Sequence, residues 1–504
     1  MKINLNWIFT LFVLCGMVLT SCKDAWKSRE ELSIGAINKT VLEELSQNEK
    51  TTEFYKLLVK TGVDKILMES RSFTVWAPDN DVVKALDNAL LNDNEALKNL
   101  VLNHISYQTY FTKDAGEGRY IRVLNGKNIL FESEKFEDYP ILTADIYLRN
   151  GVLHITQGTA LPKPNALEYL ASLNNKQYQF FNQLYYDGLD VSEGVILYYD
   201  PITGEPVYQE GTTKPMVKNS FLDDVYNINS EDSLFTYIIL SDEAFDQEVN
   251  FLKPYNKAAK YEFDADSVLI PSDDLPKQDS LSKFQAIKDL VVSGIYTKEQ
   301  LTLIDSLTTS TGVKVKILPT DIVATKRLSN GIAHVVKKVQ YKVLDNKIPP
   351  IIIQGTDIDS LRVPSTTIIK TIKDSNNKVV KQLETTTITS SPSPLYYFRY
   401  KIKAQSTRYA VYWRARNTLL TVPFSMGVVF RSSKSGLSQL IPENYHPVPV
   451  YDSTDPDTFK ETLVGHLDVL YSGKGYVFLM SSQGATSALP TALALNYIKL
   501  VPIN

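Results

Sequence analysis

The sequence predicts an α+β protein with two copies of a helix-then-strand pattern, followed by an all-β sandwich. Three observations support this prediction. The chain has 504 residues, enough for about three domains that each bury a core. Apolar residues recur at helical spacing in residues 34–164, and landmarks of that segment return in residues 165–345. In residues 346–504 the helical period gives way to short runs rich in Ile, Val, Thr and Tyr.

Composition excludes several classes of protein. Lys and Arg total 53 against 57 Asp and Glu, so the formal net charge is −4. No window forms the concentrated basic footprint of a nucleic-acid binder, and no nucleic-acid partner is expected. Two cysteines and five histidines argue against a zinc finger or a disulfide scaffold. No cofactor and no metal site is predicted.

The first 21 residues predict a signal peptide. A positive start at Met1-Lys2 precedes an apolar run, Trp7–Leu19, that is too short to span a bilayer comfortably. The run closes on Leu19-Thr20-Ser21-Cys22, which resembles the lipobox of bacterial lipoproteins. This resemblance implies that Cys22 carries the lipid anchor, with residues 22–33 as anchor and linker. The alternative is a plain signal peptide with an incidental cysteine.

The residues after the anchor bear on where the protein resides. Lys23-Asp24 resembles the surface-export signal of Bacteroidetes lipoproteins. The resemblance implies an outer-membrane lipoprotein exposed on the cell surface. Cys15 would be removed with the signal peptide, which leaves the mature chain without a disulfide.

Residues 34–164 are predicted to begin with amphipathic helices and to continue into strands. A strand stopped by proline is expected at Phe73–Pro78, and Asp79-Asn80-Asp81 is expected to cap the next helix. The segment closes with a turn and an apolar strand, Asn150–Ile155. Phe73–Asn80 is similar to the first signature of fasciclin (FAS1) domains, Asn103-His104-Ile105 to their histidine motif, and Asn150–Ile155 to their second signature.

Residues 165–345 resemble a second, divergent fasciclin-like domain. Ser233–Phe245 repeats the strand-then-cap arrangement, and Ser329–Val335 repeats the closing one. This copy lacks the proline of the first signature and the middle histidine. The polar stretches 200–218 and 257–279 are expected to be loops or additions to the core.

Residues 346–504 are predicted to form a jelly-roll or sandwich. Strands are expected at Pro364–Thr371, Val379–Ser390, Tyr396–Ala404, Tyr409–Ala415, Met426–Phe430, His466–Tyr471, Tyr476–Met480 and Leu493–Val501. The run Ala494–Pro502 resembles the closing strand of jelly-roll carbohydrate-binding modules. Residues 471–476 carry two glycines and are predicted to turn a hairpin.

Few residues suggest bond chemistry. His104, His154 and His334 are expected to be histidines at the edge of the core, bonded to backbone. No nucleophile elbow, phosphate loop or dinucleotide fingerprint occurs. The acidic clusters lie in polar stretches and are expected to be solvated. Asp357-Ile358-Asp359 could supply oxygens to a structural Ca²⁺.

Aromatic residues are the main lead to a ligand site, because sugars present apolar C–H faces to flat rings. If Tyr409–Arg416 is a strand, alternation places Tyr412 and Arg414 on the outer face, with Trp413 turned toward the core. The candidate ligand-binding residues are Tyr412, Trp413, Arg414, Tyr445, Tyr471 and Tyr476.

The resemblances imply a function without bond chemistry. A fasciclin pair followed by such a sandwich, behind a lipobox, resembles accessory lipoproteins of Bacteroidetes glycan-uptake systems. The expected partner is a polysaccharide or oligosaccharide, with transporter proteins of the uptake complex as further partners. Two alternatives stay open: a protein-docking role in which the sandwich is structural, and a glycosidase.

Overall fold

The computed structural model describes residues 38–201, 205–263, 269–363, 367–374, 377–385, 387–389, 396–431, 445–482, 485–488 and 490–503. The predicted signal peptide and Cys22 lie outside the described residues. Among the described helices, none combines the length and the apolar character needed to cross a bilayer.

The α-helices are confined to the first two thirds of the described chain. They are α1 Val41–Gln47, α2 Thr52–Thr61, α3 Asp64–Leu67, α4 Asn80–Lys84, α5 Asn88–Asn92, α6 Asn94–Leu102, α7 Ala166–Leu173, α8 Lys176–Asn182, α9 Ser220–Asp224, α10 Asp242–Leu252 and α11 Leu275–Ile287. Side-chain oxygens begin several of them. Asp79 accepts the amide N–H of Val82 at 3.0 Å, which confirms the predicted cap of α4.

Strands run through all three parts of the chain. Those before residue 220 are β1 Phe73–Pro78, β2 Ile105–Tyr107, β3 Arg119–Arg122, β4 Asn128–Phe131, β5 Lys135–Phe136, β6 Tyr139–Leu148, β7 Gly151–Thr156, β8 Tyr185–Asp190, β9 Ile196–Tyr199, β10 Pro206–Tyr208 and β11 Lys214–Asn219. The next are β12 Phe235–Leu240, β13 Ala259–Phe263, β14 Leu269–Asp273, β15 Val291–Ser293, β16 Leu307–Thr308, β17 Lys314–Val315, β18 Ile322–Leu328 and β19 Gly331–Val336. The last are β20 Ile351–Gln354, β21 Ser360–Arg362, β22 Thr367–Lys373, β23 Val379–Thr385, β24 Tyr397–Ala404, β25 Arg408–Arg414, β26 Phe424–Arg431, β27 His446–Val448, β28 Thr462–Asp468, β29 Gly473–Ser481, β30 Ala494–Leu495 and β31 Tyr497–Ile503.

In the first domain a seven-stranded sheet separates two cores. Its strand order is β2-β1-β7-β6-β5-β4-β3, and β1 pairs with β7 in parallel. Phe73 and Val75 pack with the helices, whereas Trp76 lies in a second cluster and stacks on Phe136 at 5.0 Å. Every residue of β1 and β7 is buried, which explains why both strands are continuous apolar runs rather than alternating ones.

The second domain repeats this arrangement. Strand β12 pairs with β19 in parallel from Phe235 opposite Gly331, as β1 pairs with β7 from Phe73 opposite Gly151. Its sheet has the order β15-β12-β19-β18. The backbone N–H of Ile238 donates to Leu290, where Trp76 in the first domain donates to His104. Leu290 therefore occupies the position of the missing middle histidine.

The Asn-Gly turn explains why the two closing motifs are alike. The side-chain oxygen of Asn150 accepts the N–H of Val41 at 2.8 Å, and that of Asn330 accepts the N–H of Ala166 at 3.0 Å. Each asparagine thus joins the last strand of its domain to the first helix. Within each domain this places the two ends of the chain segment side by side.

The polar stretches of the second domain contain paired strands, which agrees with the second of the two predicted alternatives, additions to the core. The stretch 200–218 falls within two antiparallel hairpins, β8 with β11 and β9 with β10, and 257–279 contains the hairpin of β13 with β14. Strand β9 is exposed along its whole length, so it lacks the apolar alternation from which a strand is predicted.

The C-terminal part forms two facing sheets with a shared core and a smaller sheet of the order β22-β23-β30. One facing sheet has the order β20-β31-β25-β28 and the other β21-β24-β29-β26-β27. The predicted hairpin at residues 471–476 is wrong, because β28 pairs with β25 whereas β29 pairs with β24 and β26. The turn instead carries the chain from one sheet to the other, since Val464 and Val477 enter the common core from opposite sides.

Polar contacts join the parts of the chain. Between the first and second domains, Arg327 donates to the buried Glu137 at 2.8 Å and to Asp138 at 2.6 Å. Between the second domain and the sandwich, Ser406 donates to the carbonyl of Pro254 and Ser472 to that of Tyr255, both at 2.8 Å.

The predicted domain boundary at residues 345 and 346 falls inside a connecting turn, Val343–Lys347. The Lys347 side chain is 2% exposed, and its ammonium lies 2.9 Å from Glu248 and 3.7 Å from Asp289 in the second domain. The next residue, Ile348, already belongs to the core of the sandwich.

Candidate functional site

The candidate site is a cleft on the outside of the sandwich. It has a volume of about 700 Å³ and lies between the four-stranded sheet and the β22–β23 hairpin. Alternation along the sheet creates it: Ile498 and Leu500 point into the core, whereas Tyr497 and Lys499 face outward. Arg414, on the neighbouring strand, is the register partner of Tyr497.

Arg414 is held firmly at the centre of the cleft. Its Nε donates to the Asn496 side chain at 2.7 Å, and its guanidinium carbon lies 4.9 Å from the ring centroids of both Phe459 and Tyr497. Its Nη1 lies 3.5 Å from Asp374. An arginine fixed at Nε and packed against aromatic rings offers its remaining N–H groups in a defined geometry.

Tyr497 combines a flat ring with a well-bonded hydroxyl. The hydroxyl donates to Glu461 at 2.8 Å, and Lys499 lies 3.0 Å from the same carboxylate. Burial, together with the hydrogen bond to Glu461, raises the pKa of Tyr497 to about 12. The ring therefore stays neutral and apolar at physiological pH. Gln354, on β20, adds an amide to the wall of the cleft.

The predicted site residues lie in four different places. Tyr412 and Arg414 share the outer face of the sheet, as alternation predicted. The ring centroid of Tyr412 lies 5.9 Å from the ammonium of Lys499. Trp413 is 2% exposed in the core, where a surface ligand does not reach it. Tyr445 and Tyr476 lie together on the other sheet, beside Phe478.

Tyr471 contacts Asp273 of the second domain. It lies at the junction with the second domain, where burial and a hydrogen bond with Asp273 raise its pKa. Tyr476 contacts Arg399, whose guanidinium carbon lies 5.2 Å from the ring centroid. Neither tyrosine lines the cleft.

Sequence reasoning missed most of the cleft. Six residues that line the cleft were not predicted: Tyr497, Lys499, Asn496, Glu461, Gln354 and Asp374. Alternation along the closing strand was a usable signal for Tyr497 and Lys499. Asp374 and Glu461 reach the cleft only through the pairing of distant strands, which the local sequence pattern does not encode.

The interior histidines are confirmed as structural. The Ala160 N–H donates to Nε2 of His104 at 3.1 Å, so its Nδ1 donates to the carbonyl of Leu100 at 2.9 Å. His154 and His334 also donate to backbone carbonyls, but through Nε2, to Tyr110 at 2.9 Å and to Tyr296 at 2.8 Å. Burial lowers the pKa of all three, to about 4 for His104.

The proposed calcium ligands have other partners. Asp359 binds Lys401 at 2.7 Å and Arg399 at 2.6 Å. Burial alone would raise its pKa, but hydrogen bonds from these two cations hold the pKa below its ordinary value. In the described part of the chain, no group of three or more His, Cys, Asp or Glu side chains is arranged to hold a metal ion.

Comparison with known proteins identifies the first domain. The sequence model of the Fasciclin domain matches residues 49–162, and this part of the chain is a fasciclin domain. Human periostin is 23% identical over 198 residues, which cover 36% of this chain and 24% of periostin. The chain thus spans about a quarter of the length of this relative.

The solved structures similar to the chain include a fasciclin domain pair and carbohydrate-binding modules. A FAS1 domain pair from the insect cell adhesion molecule fasciclin I is 15% identical and covers 60% of this chain and 99% of its own, with a TM-score of 0.23. CsCBM6-3 from Clostridium stercorarium, in complex with cellobiose, is 15% identical and covers 30% and 94%, with a TM-score of 0.20. CBM35 from Cellvibrio japonicus Abf62 is 15% identical and covers 31% and 94%, with a TM-score of 0.20.

Proposed function

We propose that this protein is a non-catalytic adhesion protein that binds a glycan through the cleft of its C-terminal sandwich. The cleft itself carries the proposal: the Tyr497 ring provides an apolar platform, with Arg414 and Gln354 positioned around it. A pyranose ring needs this combination, because its faces are apolar and its rim is lined with hydroxyl groups. Such pairing of a few polar groups with an apolar surface is typical of ligand sites.

The proposal treats the cleft as a binding site rather than an active site. A glycosidase uses two carboxyl groups, one of which must donate a proton. Glu461 is bound by Lys499 and by the Tyr497 hydroxyl, and Asp374 accepts the Lys378 N–H at 2.9 Å. Both carboxylates serve to hold neighbouring side chains.

Affinity electrophoresis of the purified protein against a panel of polysaccharides tests this function. We expect at least one glycan to retard the protein, and Tyr497→Ala to weaken that binding roughly tenfold, about 1.4 kcal/mol. Tyr476→Ala, on the other sheet, is the matched control and should bind as the parent does. The proposal fails if no glycan retards the protein, or if only Tyr476→Ala loses binding.

The place of action is part of the same proposal. We place the protein at the outer membrane, anchored through Cys22 and exposed on the cell surface, with the fasciclin domain and a second fasciclin-like domain as the stalk. The support is the lipobox-like sequence and the repeated strand register of the second domain. Cys22→Ala should move the protein from the membrane fraction to the soluble fraction; an unchanged membrane fraction would disprove the anchor.

One observation favours a second function, docking to a protein of the uptake system. The hairpins at residues 185–219 expose Leu197 (60%), Tyr199 (63%) and Val217 (65%), a large apolar surface for a soluble domain. Pull-down from solubilised outer membranes would test it. A transporter retained by the parent and lost with Leu197→Asp/Tyr199→Asp supports docking, and equal retention contradicts it.

A further inference from the structure

We propose that the ligand of the sandwich cleft is an acidic polysaccharide that carries uronate carboxylates. This inference rests on the proposed function of the cleft and adds its charge class. Four cations line the cleft, Arg414, Lys378, Lys381 and Lys499, against two carboxylates, Asp374 and Glu461. The whole chain has a net charge of −4, so this local excess runs against the average of the molecule.

The two carboxylates offset only two of the four cations, which leaves an excess of two positive charges in the cleft. Glu461 accepts from Tyr497 and Lys499 at 2.8 and 3.0 Å. Asp374 accepts the backbone N–H of Lys378 at 2.9 Å and lies 3.5 Å from Nη1 of Arg414. Lys499 is thereby neutralised, whereas the Arg414 contact is at the outer limit of a hydrogen bond.

Two lysines and one edge of the Arg414 guanidinium remain available to a ligand. Lys378 and Lys381 are exposed and make no ion pair with the described residues. Nη2 of Arg414 has no hydrogen-bond partner within the same residues, while Nε is fixed by Asn496. Guanidinium groups match planar carboxylates through two parallel N–H···O bonds, and a nearby aromatic ring can bind the sugar that bears the carboxylate.

The geometry therefore fits an acidic sugar better than a neutral one. A neutral glycan would leave Lys378 and Lys381 without a role and would have to desolvate part of Arg414 for hydroxyl groups alone. A uronate places its charge within reach of Arg414 while its ring contacts Tyr497. The same cations would also attract sulfate esters, so the experiment must separate carboxylate from sulfate.

The test measures binding of the purified protein to polygalacturonate, to the same polymer after reduction of its carboxyl groups, and to dextran sulfate. We expect polygalacturonate to bind roughly tenfold more tightly than the reduced polymer and more tightly than dextran sulfate. Added salt should narrow the gap between the acidic and neutral polymers.

Variants locate the effect in the cleft. Lys378→Gln/Lys381→Gln should lose most of the preference for polygalacturonate. The matched control is Lys403→Gln/Lys474→Gln, which removes two exposed lysines paired across β24 and β29 on the other sheet. The control should bind as the parent does. Equal losses in both variants would mean a general charge effect and would overturn the inference.

The outcomes separate this inference from the proposed function. Equal affinity for the acidic and reduced polymers, with loss in Tyr497→Ala, would leave glycan binding intact and reject the acidic class. Tighter binding to dextran sulfate would reject carboxylate recognition. Absence of binding to any polysaccharide would reject the function and the inference together.

Discussion

At the scale of single residues, His104 shows how burial sets the charge state of a side chain. Its ring is fully buried, and both nitrogens are used by the backbone groups of Ala160 and Leu100. A proton added to Nε2 would displace the N–H of Ala160 and place a charge in an apolar core. This explains why burial lowers the pKa of His104 to about 4, well below the ordinary value of 6.5.

We expect acid to destabilise the first domain through His104. The unfolded chain takes up the proton near pH 6.5 and the folded chain only near pH 4, so stability is complete above about pH 6.5 and falls as the pH drops to about 4. The loss is about 3 kcal/mol. His104→Leu, which copies Leu290 of the second domain, should flatten this part of the pH dependence.

Hydrogen exchange of the amides in β1, followed from neutral to acid pH, measures the effect locally. The parent should lose protection more steeply than His104→Leu. His154, which remains in both proteins, contributes equally to the two curves. Parallel curves would show that His104 does not couple folding to pH.

At the scale of elements, the features that depend on a local sequence pattern could be predicted. The buried strand at Phe73–Pro78, the Asp79 cap and the outward face of Tyr412 and Arg414 follow from apolar runs, capping chemistry and alternation. The hairpin predicted at residues 471–476 failed because glycines permit a turn without choosing which strands pair. Strand β9 escaped prediction because its apolar residues are exposed on both faces.

The closing turn of the second domain contains a glycine, Gly331, whose steric role can be tested by substitution. A Cβ atom at Gly331 would lie 1.8 Å from the carbonyl oxygen of Phe235, and φ there is +148°. Gly331→Ala should therefore cost roughly 3 kcal/mol or more of the free energy of unfolding, because backbone would have to move. Gly312 has φ +85° and open space around it, so Gly312→Ala should cost only about 1 kcal/mol. Thermal unfolding compares the two variants, and equal costs would contradict the steric explanation.

At the scale of the whole molecule, the junction before the sandwich shows that domain limits drawn from composition can cut through a core. Lys347 follows the predicted limit, yet its ammonium lies among Glu248, Asp289 and the ring of Tyr341. Asp289 is fully buried. A protein that ends before Lys347 would leave Glu248 without this cation and Asp289 with Lys288, whose ammonium lies 2.7 Å away, as its remaining cation.

Lys347→Met should destabilise the second domain by about 1–3 kcal/mol, because Glu248 loses this cation whereas Asp289 keeps Lys288 at 2.7 Å. Lys342→Met, at a side chain that is 84% exposed, is the control and should change stability little. Calorimetry of the full chain distinguishes the two. A Lys347→Met protein as stable as the control would show that the buried pair is dispensable.

The parallel pairing of distant strands also limits when each of the first two domains can fold while the chain is being synthesised. The central strand pair of the first sheet cannot form until Gly151 has been synthesised and can pair with Phe73. In the second sheet, Phe235 likewise requires Gly331. Contacts this distant along the chain make folding slow, because a long loop must close first. The first domain therefore cannot complete its sheet until the chain has been synthesised past Thr156, and until then its helices have only a partial sheet on which to pack.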